Sequence, residues 1–188
     1  MTEFASSKDT RHTIRRVATG QAANGLSVIV SDTEVVPVES ALMPGGRFYS
    51  FWGADSLPTL PDKGAKPPYA TWFPVDGGYR FELFTLPPDR APKSPVADKE
   101  AALAETEKLL PGLMDVMDPK HPGWHATDTI DLIYVASGAC ILKLDGGEET
   151  PLKAGDTLVQ TGSRHAWSNP GEVPCELLVV SIGVKRRG

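Results

Sequence analysis

Apolar and polar residues alternate over short stretches in the last third of the chain. Such alternation is typical of β-strands, whose successive side chains point to opposite faces of a sheet. It predicts strands over 131–135, 139–144, 157–160, 164–168 and 175–184. Because glycine-containing turns separate these strands at regular intervals, we expect a β-sandwich or a closed barrel.

A hairpin is predicted near the N-terminus. Residues 13–18 and 26–30 have strand patterns, and the turn between them contains the Asn24-Gly25 pair, which favours a tight β-turn. Residues 1–12 lack such a pattern and are expected to form a flexible tail.

Two more strands, 47–52 and 79–86, are predicted from their aromatic residues and their alternation. The Pro- and Gly-rich stretch 57–68 between them predicts an irregular surface loop. The second strand places its apolar residues from Tyr79 to Leu83 on one face and charged residues on part of the other.

One helix is predicted over 98–110. Asp98 suits the helix N-terminus, strong helix formers follow it, and Pro111-Gly112 ends the pattern. Leu103 and Leu110 lie seven residues apart and are expected to share one apolar stripe, with Thr106 and Glu107 near its edge. Packing on the outside of the sheet and packing over its open end are both compatible with this pattern.

The length of 188 residues favours a single domain with a substantial core. We expect the barrel core in 119–188. The arm, the first strands, the loop and the helix, within 13–118, are expected to pack against it.

The charge balance is acidic, with 19 Lys and Arg against 24 Asp and Glu, a net charge of -5 and a pI of about 5.4. An acidic chain without a basic stripe argues against a nucleic-acid or membrane partner. The first residues lack the basic and apolar regions of a signal peptide, and no stretch approaches the ~20 apolar residues of a membrane span. A cytoplasmic protein is therefore expected.

The two cysteines, Cys140 and Cys175, lie in apolar strand segments. Buried free thiols are expected, because a reducing compartment fits the rest of the sequence. A zinc site would need further ligands at short spacing, which the sequence does not offer beside either cysteine.

Two polar runs, 125–131 and 162–169, interrupt the apolar strand region. If both runs face one cavity, the imidazoles of His125 and His165 converge there with the carboxylate of Asp131. Such a cluster suits either a metal site or acid/base chemistry.

The first run resembles the first motif of the cupin superfamily, in which two His, a Glu and a Gly follow at fixed spacings. His125 and Gly138 match that motif. Thr127 stands at the second His position and Asp131 at the Glu position, with the spacing kept.

The second run is similar to the second cupin motif. Gly155, Gly162, His165 and Asn169 match, whereas Gln160 replaces a proline and the first gap is one residue short. The resemblance implies an all-β jelly-roll (double-stranded β-helix) barrel with an N-terminal hairpin arm and one short helix. It also implies a homodimer formed through such arms.

Carried over to this chain, the cupin metal ligands become His125, Asp131 and His165, because threonine is a poor ligand for a divalent transition metal. Two His and one carboxylate still form the ligand set of a non-haem iron site. Fe, Mn, Ni or Zn are the candidate ions, and no nucleotide cofactor is expected. His121 and Asp128 are potential compensating ligands, although we expect both in loops or exposed.

Acid/base chemistry without an ion is the other interpretation. Asp131 is one methylene shorter than the glutamate it replaces, so its carboxylate can pair with an imidazole instead of a metal. Such a pair would orient the ring and favour its protonated form.

Alternation places three candidate substrate-binding residues towards the same cavity: Thr127, Ile133 and Trp167. Arg164 is expected to point outward, and Asn169 is expected to bond backbone groups at a strand end.

The leading functional hypothesis is a cupin enzyme that acts on a small oxygenated organic molecule as a lyase, dehydratase or isomerase. His125 and His165 would be its acid and base, and Asp131 would orient one of them. The alternatives are a metal-dependent dioxygenase and a non-catalytic cupin that binds a small ligand, since the fold does not determine the reaction.

Overall fold

The computed structural model describes residues 12–92 and 95–187. The predicted tail, 1–12, lies outside them except for His12. The elements found are β1 (Ile14–Gln21), β2 (Ser27–Val35), β3 (Arg47–Ala54), β4 (Tyr79–Leu86), α1 (Lys99–Leu109), a 3₁₀ turn (Met114–Val116), β5 (Thr129–Ser137), β6 (Ala139–Leu144), β7 (Glu149–Lys153), β8 (Thr157–Gln160), β9 (His165–Ser168) and β10 (Cys175–Gly183).

Strands β1 and β2 form the predicted N-terminal hairpin, and both are longer than the sequence pattern indicates. Gly25 lies in the turn at φ 80°, a left-handed conformation that glycine adopts without steric cost. Ile14 and Val35 at the base of this arm pack against Tyr49 and its neighbours on the outer face of the main sheet. The arm is therefore anchored on its own barrel.

The barrel consists of two antiparallel sheets. One has the strand order β3-β4-β10-β5-β8, and the other has the order β7-β6-β9. This arrangement is the predicted jelly-roll fold. Strands β3 and β4, which were expected to pack on the barrel, are integral members of its larger sheet.

The apolar core lies between the two sheets. The larger sheet contributes Ile133, Val135 and Leu177, and the smaller sheet and its neighbours contribute Leu142 and Leu152. Cys140 and Cys175 also belong to this cluster, and both are free and buried, as expected.

Strand β4 points its charged residues into the barrel. Phe84 packs against the interior core, and Arg80 and Glu82 share its face because side chains alternate along a strand. Leu83, on the other face, packs under the arm. The predicted alternation is thus confirmed, and the polar face is the inner one.

Helix α1 begins after Asp98, whose side chain accepts a hydrogen bond from the Ala101 amide at 2.9 Å. The predicted stripe is wrong at Leu103, which is 37% exposed. The buried face instead follows the four-residue spacing of Ala102, Thr106 and Leu110. No helix among residues 12–92 and 95–187 is long and apolar enough to cross a membrane.

Arg80 fastens the segment 69–72 over the end of the barrel. Its fully buried guanidinium donates to the carbonyl oxygens of Thr71, Trp72 and Ala54 at 2.8–3.3 Å and pairs with Asp55 at 2.6 Å. A buried charge persists only when its donors are satisfied in this way. The arrangement makes Arg80 a structural residue.

Candidate functional site

His125 and His165 lie side by side on neighbouring strand segments. Each backbone amide donates to the other residue's carbonyl oxygen at 2.9 Å, so the two form an antiparallel bridge. Directly opposed residues project side chains to the same face. The ring centroids are accordingly 4.2 Å apart, and the planes are inclined by 55°.

Backbone carbonyls orient both imidazoles. Nδ1 of His125 donates to the Gly123 oxygen at 3.2 Å. Nδ1 of His165 lies 2.9 Å from the Ser163 oxygen and 2.8 Å from the side-chain amide nitrogen of Gln160. Each neutral tautomer of His165 therefore has a partner for Nδ1. The Nδ1 atoms of both rings are thus bonded by these groups, whereas the sequence analysis expected Asp131 to orient one of the rings.

Burial favours the neutral form of both rings. Burial, together with the adjacent His165, lowers the pKa of His125 to about 4. Burial also lowers the pKa of His165. The attraction of Asp131 is the smallest of the effects on the His125 pKa, so burial outweighs it and the ring is not held protonated as expected.

Asp131 is 7% exposed and faces the barrel interior from β5. The hydroxyls of Ser181 and Thr129 donate to its carboxylate and lower its pKa, but burial outweighs them and the net shift is upward. Its Oδ1 has no hydrogen-bond partner. The carboxyl group is thus close enough to influence His125 and retains one free oxygen.

Glu82 is a second buried carboxyl group in the same interior. It is 6% exposed, and its Oε1 also lacks a hydrogen-bond partner. Burial raises the pKa of Glu82 well above its usual range, and repulsion from Asp131 contributes to that rise. The sequence analysis did not identify Glu82 as a site residue, although the alternation along β4 placed it on the charged face of that strand.

The three expected substrate-binding residues lie in different surroundings. Trp167 meets the ring of His165 edge-on, with centroids 5.8 Å apart, and packs against the apolar core. It is absent from the lining of the pocket that opens beside His125. Thr127 is buried, and its hydroxyl bonds Thr129 at 2.7 Å. Ile133 belongs to the apolar core.

A pocket of about 440 Å³ opens beside His125. Phe73, Met117 and Thr127 line it together with Arg164, whereas His165 is buried deeper in the barrel. The pocket gives a small molecule access to His125, whose ring neighbours that of His165.

Arg164 takes part in the rim of this pocket and does not simply point outward. Its guanidinium pairs with Asp118 at 2.5 Å and lies 4.8 Å from the ring centroid of Trp124. His121, which is exposed, also pairs with Asp118. Asp128 pairs with Arg186 at 2.5 Å, so neither potential compensating ligand joins the histidine pair.

Asn169 fills the structural role predicted for it. Its side-chain amide donates to the Leu86 and Val173 carbonyls at 3.1 and 2.9 Å, and its oxygen accepts from the Gly171 amide at 3.0 Å. These bonds close the turn after β9.

Comparisons with known proteins place these residues in a family. The model of the cupin domain matches residues 113–181. The oryzines biosynthesis cluster protein J of Aspergillus oryzae is 34% identical over 137 residues, which cover 67% of this chain and 75% of that protein. This chain is a cupin.

Other matches cover different shares of the chain. The phomopsin biosynthesis cluster protein D of Diaporthe leptostromiformis is 33% identical to this cupin over 105 residues, covering 50% of the chain and 56% of that protein. Among solved structures, the cupin domain of Schizosaccharomyces pombe Cnp3 has a TM-score of 0.43 and 10% identity, covering 90% of this chain and 87% of its own. A putative ethanolamine utilization protein Q from Salmonella typhimurium has a TM-score of 0.42 and 12% identity, covering 92% and 98%.

The cupin resemblance implies His125, Asp131 and His165 as metal ligands. Within the described ranges, no group of three or more His, Cys, Asp or Glu side chains is arranged to hold a metal ion. The Thr127 hydroxyl bonds Thr129. Asp131 accepts from Ser181 and Thr129, and its Oδ1 has no hydrogen-bond partner. The donor set of this cupin therefore does not fit the three-ligand site.

Proposed function

We propose that this cupin acts on a small oxygenated organic molecule by proton transfer, as a lyase, dehydratase or isomerase. The observation that carries the proposal is the pair of neutral, carbonyl-oriented imidazoles beside a pocket of about 440 Å³. A neutral imidazole with a free ring nitrogen is a competent general base, and its protonated form is a general acid.

The two histidines divide the work in this proposal. With Nδ1–H held by Gly123, His125 presents the lone pair of Nε2 and removes a proton from substrate carbon or oxygen. With Nδ1–H donated to the Ser163 oxygen, His165 can accept at Nε2 the proton released by the His125 imidazolium. As an imidazolium it then gives that proton to the leaving oxygen or to a second carbon, and both rings return to the neutral form. The Asp131 carboxylate balances the imidazolium charge during transfer.

The relatives support a small-molecule substrate. Two of them carry names that place them in fungal biosynthesis clusters. The pocket combines apolar residues such as Phe73 and Met117 with polar and charged ones such as Thr127 and Arg164, which suits a small molecule that carries oxygen atoms.

Solvent exchange provides a test that does not require the substrate to be known in advance. The protein would be incubated in D₂O with a panel of small hydroxy and keto acids, and ¹H NMR would follow loss of C–H signals. His165→Ala is expected to slow exchange by about 10²-fold or more if His165 transfers the proton. His121→Ala, an exposed histidine paired with Asp118 outside the ring pair, is the matched control.

The outcomes separate the hypotheses. Unchanged exchange in a folded His165→Ala protein would overturn the proposed chemistry. Binding of a panel member without exchange in the wild type and both variants would favour a ligand-binding cupin.

We also propose that the protein forms a homodimer in the cytoplasm. Phe81, Val180, Leu132 and Val159 are cross-strand neighbours in one row on the outer face of the larger sheet. Leu132 is 45% exposed and Val159 is 60% exposed, and exposed apolar rows of this kind favour association. The free, buried cysteines support a reducing compartment.

A further inference from the structure

A second pocket, of about 430 Å³, lies beside β3 and shares no lining residue with the pocket at His125. Ser50, Lys66 and Tyr69 supply polar groups to its lining. Val38, Trp72 and Leu109 supply apolar surface. The pocket is therefore amphipathic.

The polar groups of this pocket form one hydrogen-bonded cluster. The Lys66 ammonium donates to Ser50 Oγ at 2.9 Å and to the Ser50 carbonyl oxygen at 3.1 Å. The Ser50 hydroxyl also bonds the Tyr69 hydroxyl. Lys66 lies 5.2 Å from the ring centroid of Tyr69. An ammonium, a phenol and an alcohol thus offer donors at one place.

Arg80 holds Tyr69 and the neighbouring backbone of this cluster in place. The Arg80 guanidinium lies 3.9 Å from the ring centroid of Tyr69 and donates to the Thr71 oxygen at 2.9 Å. Burial raises the pKa of Tyr69, so the phenol remains a neutral donor at pH 7. The donors are therefore held in place before any ligand arrives.

The local charge favours an anion. In residues 12–92 and 95–187, no carboxylate forms an ion pair with Lys66. The nearby Asp55 is already paired with Arg80 at 2.6 Å. Glu82, directly across from Ser50 in the sheet, has a carboxyl group whose pKa burial raises, so it opposes an anion less than an ionised group would.

We propose that this pocket binds a small organic carboxylate with an apolar body. The carboxylate accepts hydrogen bonds from Lys66 and Tyr69, and the hydrocarbon part packs against Val38, Trp72 and Leu109. A carboxylate suits this place because ammonium–carboxylate bonds are charge-assisted and shorter than neutral ones. This site does not depend on the chemistry proposed for the histidine pair.

Hexanoate is the probe, and hexanamide and acetate are its comparators. Hexanamide keeps the hydrocarbon and loses the charge, and acetate keeps the charge and loses the hydrocarbon. Isothermal titration calorimetry is expected to give a roughly millimolar Kd for hexanoate and weaker binding of both comparators. ¹H–¹⁵N spectra are expected to show hexanoate-dependent shifts at the Ser50 and Tyr69 amides.

Lys66→Met tests the charge and keeps the aliphatic stem. It is expected to weaken hexanoate binding by about tenfold or more, because hydrogen bonds to charged groups are the stronger class. Tyr69→Phe keeps the ring against Arg80 and is expected to weaken binding less. Lys63→Met, at an exposed lysine outside the pocket lining, should bind as the wild type does.

Three results would overturn the proposal: no hexanoate binding to the folded wild type, equal affinity for hexanamide, or unchanged affinity in a folded Lys66→Met protein. His165→Ala separates this proposal from the proposed function, because the variant leaves the second pocket intact. Loss of proton exchange with retained hexanoate binding would support both proposals independently.

Discussion

Glu82→Gln is expected to stabilise the protein as pH rises above the ordinary range of a glutamate. In the native state the carboxyl is 6% exposed and one oxygen is unpartnered, and burial raises its pKa well above 4.5. In the unfolded chain the same group ionises near its ordinary pKa. The unfolded state therefore binds fewer protons than the native state, and the free energy of unfolding falls with increasing pH.

The slope of the free energy of unfolding against pH follows from the difference in bound protons between the native and unfolded states. While the unfolded group is ionised and the native group is still protonated, one carboxyl costs up to about 1.4 kcal/mol per pH unit. The stability contribution of Glu82 is thus fully present below its unfolded pKa and is lost as pH rises towards its native pKa. Glutamine keeps the shape and a neutral donor, so Glu82→Gln should remove this slope.

Urea unfolding at intervals from about pH 5 to 8 measures the effect, because the fitted free energies can be compared at each pH. The two proteins should have similar free energies of unfolding near pH 5. As pH rises, the free energy of unfolding of Glu82→Gln should become increasingly higher than that of the wild type. Glu105→Gln, at an exposed position on α1, should run parallel to the wild type. Parallel curves for Glu82→Gln as well would refute the inference that this carboxyl group is buried in its neutral form.

Two other predictions concern the histidine pair and the outer sheet face. The His125 pKa is lowered from 6.5 to about 4. Stability that this group contributes above pH 6.5 is therefore lost as pH falls between these two values, by about 2.5 kcal/mol near pH 4.5. Urea unfolding should show that His125→Gln loses correspondingly less stability in acid, and equal acid sensitivity of the two proteins would contradict the lowered pKa. Leu132→Glu, on the exposed apolar row, is expected to convert the proposed dimer into a folded monomer, as measured by sedimentation velocity. Leu60→Glu, at a 90% exposed loop position, should leave the dimer intact. A monomeric wild type would refute the proposed dimer.

Most strand positions, the turns and the convergence of His125 and His165 could be predicted from the sequence, because they follow from local patterns and motif spacing. Alternation indicates strands, glycine marks turns, and the motif spacing brings the His125 run opposite the His165 run. Alternation also states which residues share a face. It does not state which face is inside, and for β4 the charged face with Glu82 turned inward.

The remaining features depend on contacts between distant segments. The orientation of His165 requires the Ser163 carbonyl and Gln160, and the cluster at Ser50 requires Lys66 and Tyr69 from a stretch whose composition indicates only an irregular loop. The buried face of α1 depends on what covers it: Thr106 is inside because its hydroxyl bonds Ser40 Oγ at 2.6 Å. Burial of this kind follows from the assembled structure and not from local propensity.

The segment fastened by Arg80 has a consequence for how the two pockets relate. Thr71 and Trp72 line the pocket beside β3, and the next two residues, Phe73 and Pro74, line the pocket beside His125. Four consecutive residues thus form a partition between two compartments. A displacement of these four residues would therefore change a wall of both compartments.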